Sequence, residues 1–403
     1  MSATDIDTAL PAPTPAEQQD ARKRRLLLFI LLALALIFCC LLYFIVRYFL
    51  KPQPLPEMLP APVAENIYYP PTYKFSINNV DGPVGVAVSP NGKRIYVAES
   101  RGERLIKMFD RDGNMLKSFA PHGTTKSTRQ PIYLAVDAGG RVFLTDRLNN
   151  VIDIFDADGN YLDAIIAQDM TLTRLLDTTI PGGLPKDAVY FYEGINKVAY
   201  YKLADGTEGS VAVQASARPW APLGLSFDNK GNLLYTDLTL EKHGVQIFPA
   251  AALNGPLNKF EVPIMDSFGV QGQAPGQLDF PNDVVVDKKG NYYVADGNNA
   301  RISSWGPDFK YRSFFGFGSN VESLNLPRGL WIDNRDRLHV ADAVGSVIRV
   351  YDVSGDVPKF LGTFGAYGST EGAFRFPNDI TIDGTGRLYI ADRENNRIQV
   401  WSY

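Results

Sequence analysis

One long phrase occurs twice in the chain, as "FPNDVVVDKKGNYYVADGNNARISSW" at 280–305 and as "FPNDITIDGTGRLYIADRENNRIQVW" at 376–401. Repetition constrains a fold more than composition does, because every copy builds the same local unit and must then find a neighbour to bury it. The unit reads as a proline, a short alternating strand, a Gly-containing turn, a second strand ending in Ala-Asp or its equivalent, a polar loop and a third strand. In the last copy "DITID" alternates with period two, "GTG" supplies the turn and "LYIAD" returns as a β-branched and aromatic strand. The unit recurs six times, on Pro83, Pro131, Pro222, Pro281, Pro327 and Pro377, with strand-end acids Glu99, Asp146, Asp237, Asp296, Asp342 and Asp392. A meander with two apolar faces needs partners on both, and closing such units radially protects their edges.

The run "PNDITIDGTGRLYIADRENNRIQVW" resembles the NHL repeat, and the resemblance extends over about residues 80–403. It implies an all-β fold, a six-bladed β-propeller of NHL-type repeats over 72–403. Seven blades are the alternative, because Asp146 and Asp237 are 91 residues apart against 46 to 59 for the other intervals. "KVAYYKLADGTEGSVAVQ" (197–214) reads as a hairpin around Asp205 and Gly206, with too little chain before Pro222 to finish a fourth strand. Six blades with an insertion at about 168–216 are therefore preferred. The chain stops after a third strand, so "TYKFSIN" (72–78) is expected to supply the outer strand of the last blade.

Ahead of the repeats, residues 26–46 form an unbroken apolar stretch of 21 residues, enough for a helix to span a hydrocarbon core of roughly 30 Å. A transmembrane helix is expected at 26–50. Arg22, Lys23, Arg24 and Arg25 precede it while Arg47 and Lys51 follow, which favours a cytoplasmic N-terminus and an extracytoplasmic propeller. A cleaved signal peptide would have a shorter apolar region followed by small residues, where this chain has Arg47, Tyr48, Phe49 and Leu50. Residues 1–25 read as a disordered cytoplasmic tail, and 51–71, with seven prolines, as a semi-rigid linker of up to roughly 65 Å. Both cysteines, Cys39 and Cys40, fall in the apolar run, which leaves no thiol for a disulfide or a Cys-ligated zinc elsewhere.

The family topology implies that the loops before each proline and after each Ala-Asp share one face around a central channel. Directly after the prolines stand Val84, Ile132, Leu223, Asn282, Arg328 and Asn378, and then Gly85, Tyr133, Gly224, Asp283, Gly329 and Asp379. One half of the ring reads as apolar or small. The last three blades offer Asn282, Asp283, Arg328, Asn378 and Asp379 as a polar arc at the channel mouth, suited to a cation, a sugar or a peptide end. The alternative is that these Asn and Asp side chains simply bond local backbone. The strand-end acids, needed in every blade, read as architectural, with Asp296–Arg301 and Asp392–Arg397 as loop-bridging pairs. His339 takes a position that is aromatic in most blades and is expected to pack between them, while His122 and His243 fall in loops.

The chain contains no HExxH, GxSxG, Walker A or CxxC sequence, so no catalytic residue is assigned. Its net charge is −4, and the part after residue 50 is more acidic still, which argues against nucleic acid. The preferred function is a membrane-tethered, extracytoplasmic binding, scaffold or sensor module for a protein, peptide or envelope polymer, anchored through 26–50 and needing no cofactor. The alternative is a metal-dependent hydrolase resembling the propeller lactonases, with Ca2+ at the channel mouth and metal ligands not yet assigned.

Overall fold

The computed structural model describes residues 15–50, 68–121, 124–165, 180, 182–185, 187–193, 196–214, 221–239, 243–254 and 266–403. These fall into two units, 1–67 and 68–403.

The first unit contains one helix, Pro15–Leu50. It starts well before residue 26, so the described part of the expected disordered tail is helical from Pro15 onward. Ala, Glu, Gln, Lys and Arg in "PAEQQDARKRR" are good helix formers, and proline fits the first helical position, where no backbone N–H is needed. Within it Arg22–Arg47 has a mean hydropathy of 3.1, long and apolar enough to cross a membrane. The linker at 51–67 lies outside the described residues. Tyr68 already packs with the propeller, which thus begins four residues earlier than expected.

The second unit holds six four-stranded antiparallel sheets. The innermost strands are Pro83–Val88, Pro131–Val136, Pro222–Phe227, Pro281–Val286, Pro327–Ile332 and Pro377–Ile382. Each lies against the innermost strands of the blades before and after it, and the last meets the first, so the sheets (blades 1 to 6) close into a ring. Six hydrophobic clusters fill the joints between successive blades. Between blades 1 and 2, for example, Tyr96 and Met108 meet Leu144 and Phe155, all nearly or fully buried.

The repeat prolines begin the inner strands and pair with the strand-end acids, as in Pro281 with Asp296 and Pro377 with Asp392. Proline fits there because a first residue need not donate to the ladder. In every blade the register slips just after that pair. A slip of this kind re-aims side chains. It therefore frees the next two residues from ordinary pairing in blades 2 to 5, and the next one in blades 1 and 6.

Blade 6 takes its outer strand from the start of the propeller. Thr72–Ile77 pairs antiparallel with Arg397–Ser402, Thr72 opposite Ser402 and Ile77 opposite Ile398. Trp401 seals this joint against Tyr73, Phe364 and Phe374. The chain enters at the end where Ser402 lies. The opposite end carries the prolines, the strand-end acids and the loops between blades, and is called the loop face.

The long interval contains no seventh blade. Val189–Glu193, Asn196–Lys202 and Glu208–Gln214 form a separate three-stranded sheet, while the inner strands of blades 2 and 3 touch directly. Its turn is centred on Asp205 and Gly206 as expected, with Thr207 N donating to Asp205 Oδ1 at 2.9 Å. Leu184, Ala188 and Ala199 of this insertion pack on Val151 and Ala164 of blade 2.

His339 is wholly buried, its Nε2 at 2.8 Å from Tyr403 Oη and its Nδ1 at 3.1 Å from the Arg337 carbonyl. Burial lowers its pKa to about 4. The unfolded chain, with an ordinary histidine near 6.5, then binds more protons than the fold between those values. His339 should destabilise the propeller as pH falls from about 6.5 to about 4, by a few kcal/mol in all. Urea titrations across this window should give a shallower loss for His339→Phe than for the native chain; identical pH profiles would contradict a neutral buried imidazole.

Candidate functional site

The proline bulges decide what fills the middle of the ring. Two residues past each proline, blades 1, 3 and 5 carry Gly85, Gly224 and Gly329, whereas blades 2, 4 and 6 carry Tyr133, Asp283 and Asp379. The pattern alternates around the ring and is not divided into halves as the linear reading suggested. Its cause is steric: a Cβ on Gly85 would strike the Ile132 carbonyl, on Gly224 the Asn282 carbonyl, and on Gly329 the Asp379 carboxylate. Odd blades give up their side chains so that even blades can close against them.

The sequence-expected arc comes together here, and each member has a structural partner. Asn282 Nδ2 donates to the Pro327 carbonyl at 3.0 Å, and Asn378 Nδ2 donates to the Val84 carbonyl. Asp283 accepts from Val284 N and Leu330 N, both at 2.8 Å. Asp379 accepts from Ile380 N at 2.9 Å and Val86 N at 2.8 Å. Each Asn-Asp pair thus fastens its blade to the next one, 4 to 5 and 6 to 1. Arg328 Nη1 donates to Asn282 Oδ1 at 3.1 Å.

Tyr133 is the residue the sequence reading left out. It comes from blade 2, opposite blade 5 in a ring of six, and its buried hydroxyl lies in the field of Arg328, Asp283 and Asp379. Arg328 Nε is buried without a partner. Burial pushes the Asp379 carboxyl up to about 8, held back by its two backbone N–H bonds. Burial, and next the Asp379 charge, push Asp283 well above the usual carboxylate range. Two acids in one dry site cannot both ionise cheaply.

Between these groups and the inner-strand walls lies a cavity of about 300 Å³. Its lining residues are chiefly aliphatic and aromatic, including Leu225, Phe227, Leu330 and Trp331, with Ser226, Asn229, Thr381 and the two aspartates as polar points. Apolar walls with few polar groups are typical of small-molecule pockets. At the mouth, Phe376 has φ +59° and is flanked by two guanidiniums, Arg328 at 5.7 Å and Arg393 at 5.5 Å from its ring centroid. Arg393 Nε also lacks a partner. Together these make a cationic, aromatic patch suited to a carboxylate or another anion.

The other sequence candidates have settled roles. Four of the six strand-end acids hold a cation: Glu99 with Lys107 at 2.8 Å, Asp296 with Arg301 at 2.7 Å, Asp342 with Arg349 at 3.1 Å and Asp392 with Arg397 at 2.8 Å. Arg397 continues to the Thr370 and Ala373 carbonyls, and Arg301 to those of Gln273, Ala274 and Gln277, so the expected pairs staple the inter-blade loops. His243 is buried, and its Nδ1 accepts from Phe280 N at 3.2 Å. His122 lies outside the described residues. Among those residues no group of three or more His, Cys, Asp or Glu is placed to hold a metal ion.

Comparison with known proteins fits this architecture. The NHL repeat model matches residues 278–303 and 374–401, the cores of blades 4 and 6. No curated protein matches the chain. Among solved structures, selenomethionine-substituted virginiamycin B lyase from Staphylococcus aureus is 15% identical with a TM-score of 0.51, over 82% of this chain and 98% of that one. A catalytically inactive form of virginiamycin B lyase from the same organism, solved with quinupristin, is 14% identical with a TM-score of 0.50 over the same shares. A streptogramin B lyase, over the same shares, is 13% identical with a TM-score of 0.51. At such identities the likeness speaks for the fold alone. With six sheets closing the ring and two of them matching the repeat model, this chain is a six-bladed β-propeller that carries NHL repeats in blades 4 and 6.

Proposed function

We propose that the chain is a membrane-tethered binding module, anchored by its apolar helix, whose extracytoplasmic propeller receives a protein or peptide partner on the loop face. One observation carries this reading. Val270, Phe317, Val321, Val344 and Tyr367 are 55 to 80% exposed on the loop face, four in the connections that run from blade 3 to blade 6 and Val344 in the loop between the second and third strands of blade 5. Soluble surfaces seldom gather large apolar side chains in one sector, and such sectors mark interaction sites. Arg328 and Arg393 around Phe376 stand at the centre of the same face, so an apolar peptide ending in a carboxylate suits the whole arrangement. The first strand of the propeller begins at the opposite end, where Thr72 pairs with Ser402.

The hydrolase reading has less support. All four oxygens of Asp283 and Asp379 already accept backbone N–H groups, so neither acid keeps an unpartnered oxygen for a cation. The anchor reading rests on the Arg22–Arg47 span and on the basic cluster before it.

Two experiments on the full chain in its membrane test this function. A benzoylphenylalanine photo-crosslinker at Phe317 or Tyr367 should give one discrete adduct, and the same probe at exposed Met115 of blade 1 should not; no adduct at either loop position, or equal adducts at all three, would contradict a loop-face partner. For topology, Val357→Cys adds a thiol to a propeller that has none. A membrane-impermeant maleimide should label it in right-side-out vesicles and fail in sealed inverted ones. The reverse pattern would put the propeller in the cytoplasm.

A further inference from the structure

Among the described residues the strand-end acids of blades 2 and 3 hold no cation, and only blade 2 places a second acid beside its own. In each blade, one position on the third strand lies opposite the residue two before the strand-end acid. It holds Lys107, Asp153, Gln246, Ser303, Arg349 and Gln399 in blades 1 to 6. Four of these pair with or donate to their acid: Lys107 at 2.8 Å, Ser303 at 3.3 Å, Arg349 at 3.1 Å and Gln399 at 2.9 Å. In blade 2 the same register aims a second carboxylate, Asp153, toward Asp146. The Arg supplied five residues after the acid in blades 4 and 6 is replaced by Val151.

Both acids are fully buried. Asp146 is held as in the other blades, accepting from Gln130 N at 3.0 Å, Leu148 N at 3.0 Å and Asn149 Nδ2 at 2.7 Å. Asp153 has no partner for either oxygen, and the buried Oδ1 of Asn149 has none either. An unpaired buried carboxylate is among the costliest features a fold can carry, so something must neutralise it. What covers the pair is also on the page. Val151 shares a strand face with Asp153 and Ala164 lies directly opposite it, and these two residues receive the packing of the insertion.

We infer that Asp146, Asn149 and Asp153 form a buried calcium site that takes the place of the missing Lys or Arg in blade 2 and clamps the insertion onto the ring. Two carboxylates on one face of the sheet match a divalent charge, and the three unpartnered oxygens, two of Asp153 and one of Asn149, supply part of the oxygen set that a hard cation takes. This site is separate from the channel mouth, and the inference does not rest on the loop-face reading.

The full chain in detergent, stripped with a chelator, provides the test. Calcium chloride at about 1 mM should raise the Tm by at least about 2 °C, by linkage to the folded state. It should also slow tryptic cleavage at Lys202 of the insertion. Asp153→Ser, which copies blade 4, should abolish both effects. Asp153→Lys, which copies blade 1, should raise the calcium-free Tm and remove the calcium response, because the ammonium then stands where the ion would. An unchanged Tm of the native chain in calcium would overturn the inference, as would a calcium response that Asp153→Lys retains in full.

Discussion

The structure depends on the circle being closed by pairing the beginning of the propeller with its end. Arg397–Ser402 would be an open edge if Thr72–Ile77 did not lie along it. Exposed edges invite other chains, and a closed ring leaves none facing inward. Closure also fixes the geometry of everything at the axis. Asp379 of blade 6 reaches Val86 N of blade 1, and the Asn378 amide reaches the Val84 carbonyl, contacts that exist only when the last blade abuts the first. The inter-blade clusters supply apolar burial at every joint, whereas these buried polar fasteners specify which backbone groups meet.

The ring has two kinds of blade at its axis. Odd blades present glycine, and the space it leaves is filled by the backbone of the next even blade, joined at Gly329 by the Asp379 carboxylate. This explains how small inner strands approach closely while a cavity with a few polar points survives below the mouth. It also explains why most of the Asn and Asp side chains there act as structural ties. The loop face is therefore built in two layers. A tied polar collar lies within, and outside it lie Arg328 and Arg393 around Phe376 together with the exposed apolar side chains.

Much of this was legible in the sequence for a physical reason: strand periodicity, turn glycines and strand-end acids are local signals, and six copies average out their noise. The closing strand was legible because a blade lacking its fourth strand must find one. The alternation of Gly85, Tyr133, Gly224, Asp283, Gly329 and Asp379 was equally present in the letters, but it carries meaning only once consecutive repeats are known to touch in a circle. Reading the same residues as two halves hid Tyr133, whose relation to Arg328 is a matter of facing across an axis. The helical start at Pro15 was missed because a polar, unpatterned segment shows no amphipathic period even when its residues favour helix. Asp153 was invisible for another reason: its oddity is a deviation from a register that only the paired strands define.

The central claim is that residues 72–77 tie the two ends of the propeller together, and it can be measured through one bond. Thr72 and Ser402 are register partners on the last joint, and the propeller has no native thiol. In Thr72→Cys/Ser402→Cys, mild oxidation should link the ends within a single chain. The Tm should then rise above that of the reduced form, as expected for a crosslink closing a very long loop. Failure of the two thiols to join, or their preference for joining between chains, would contradict a ring closed by its own first strand.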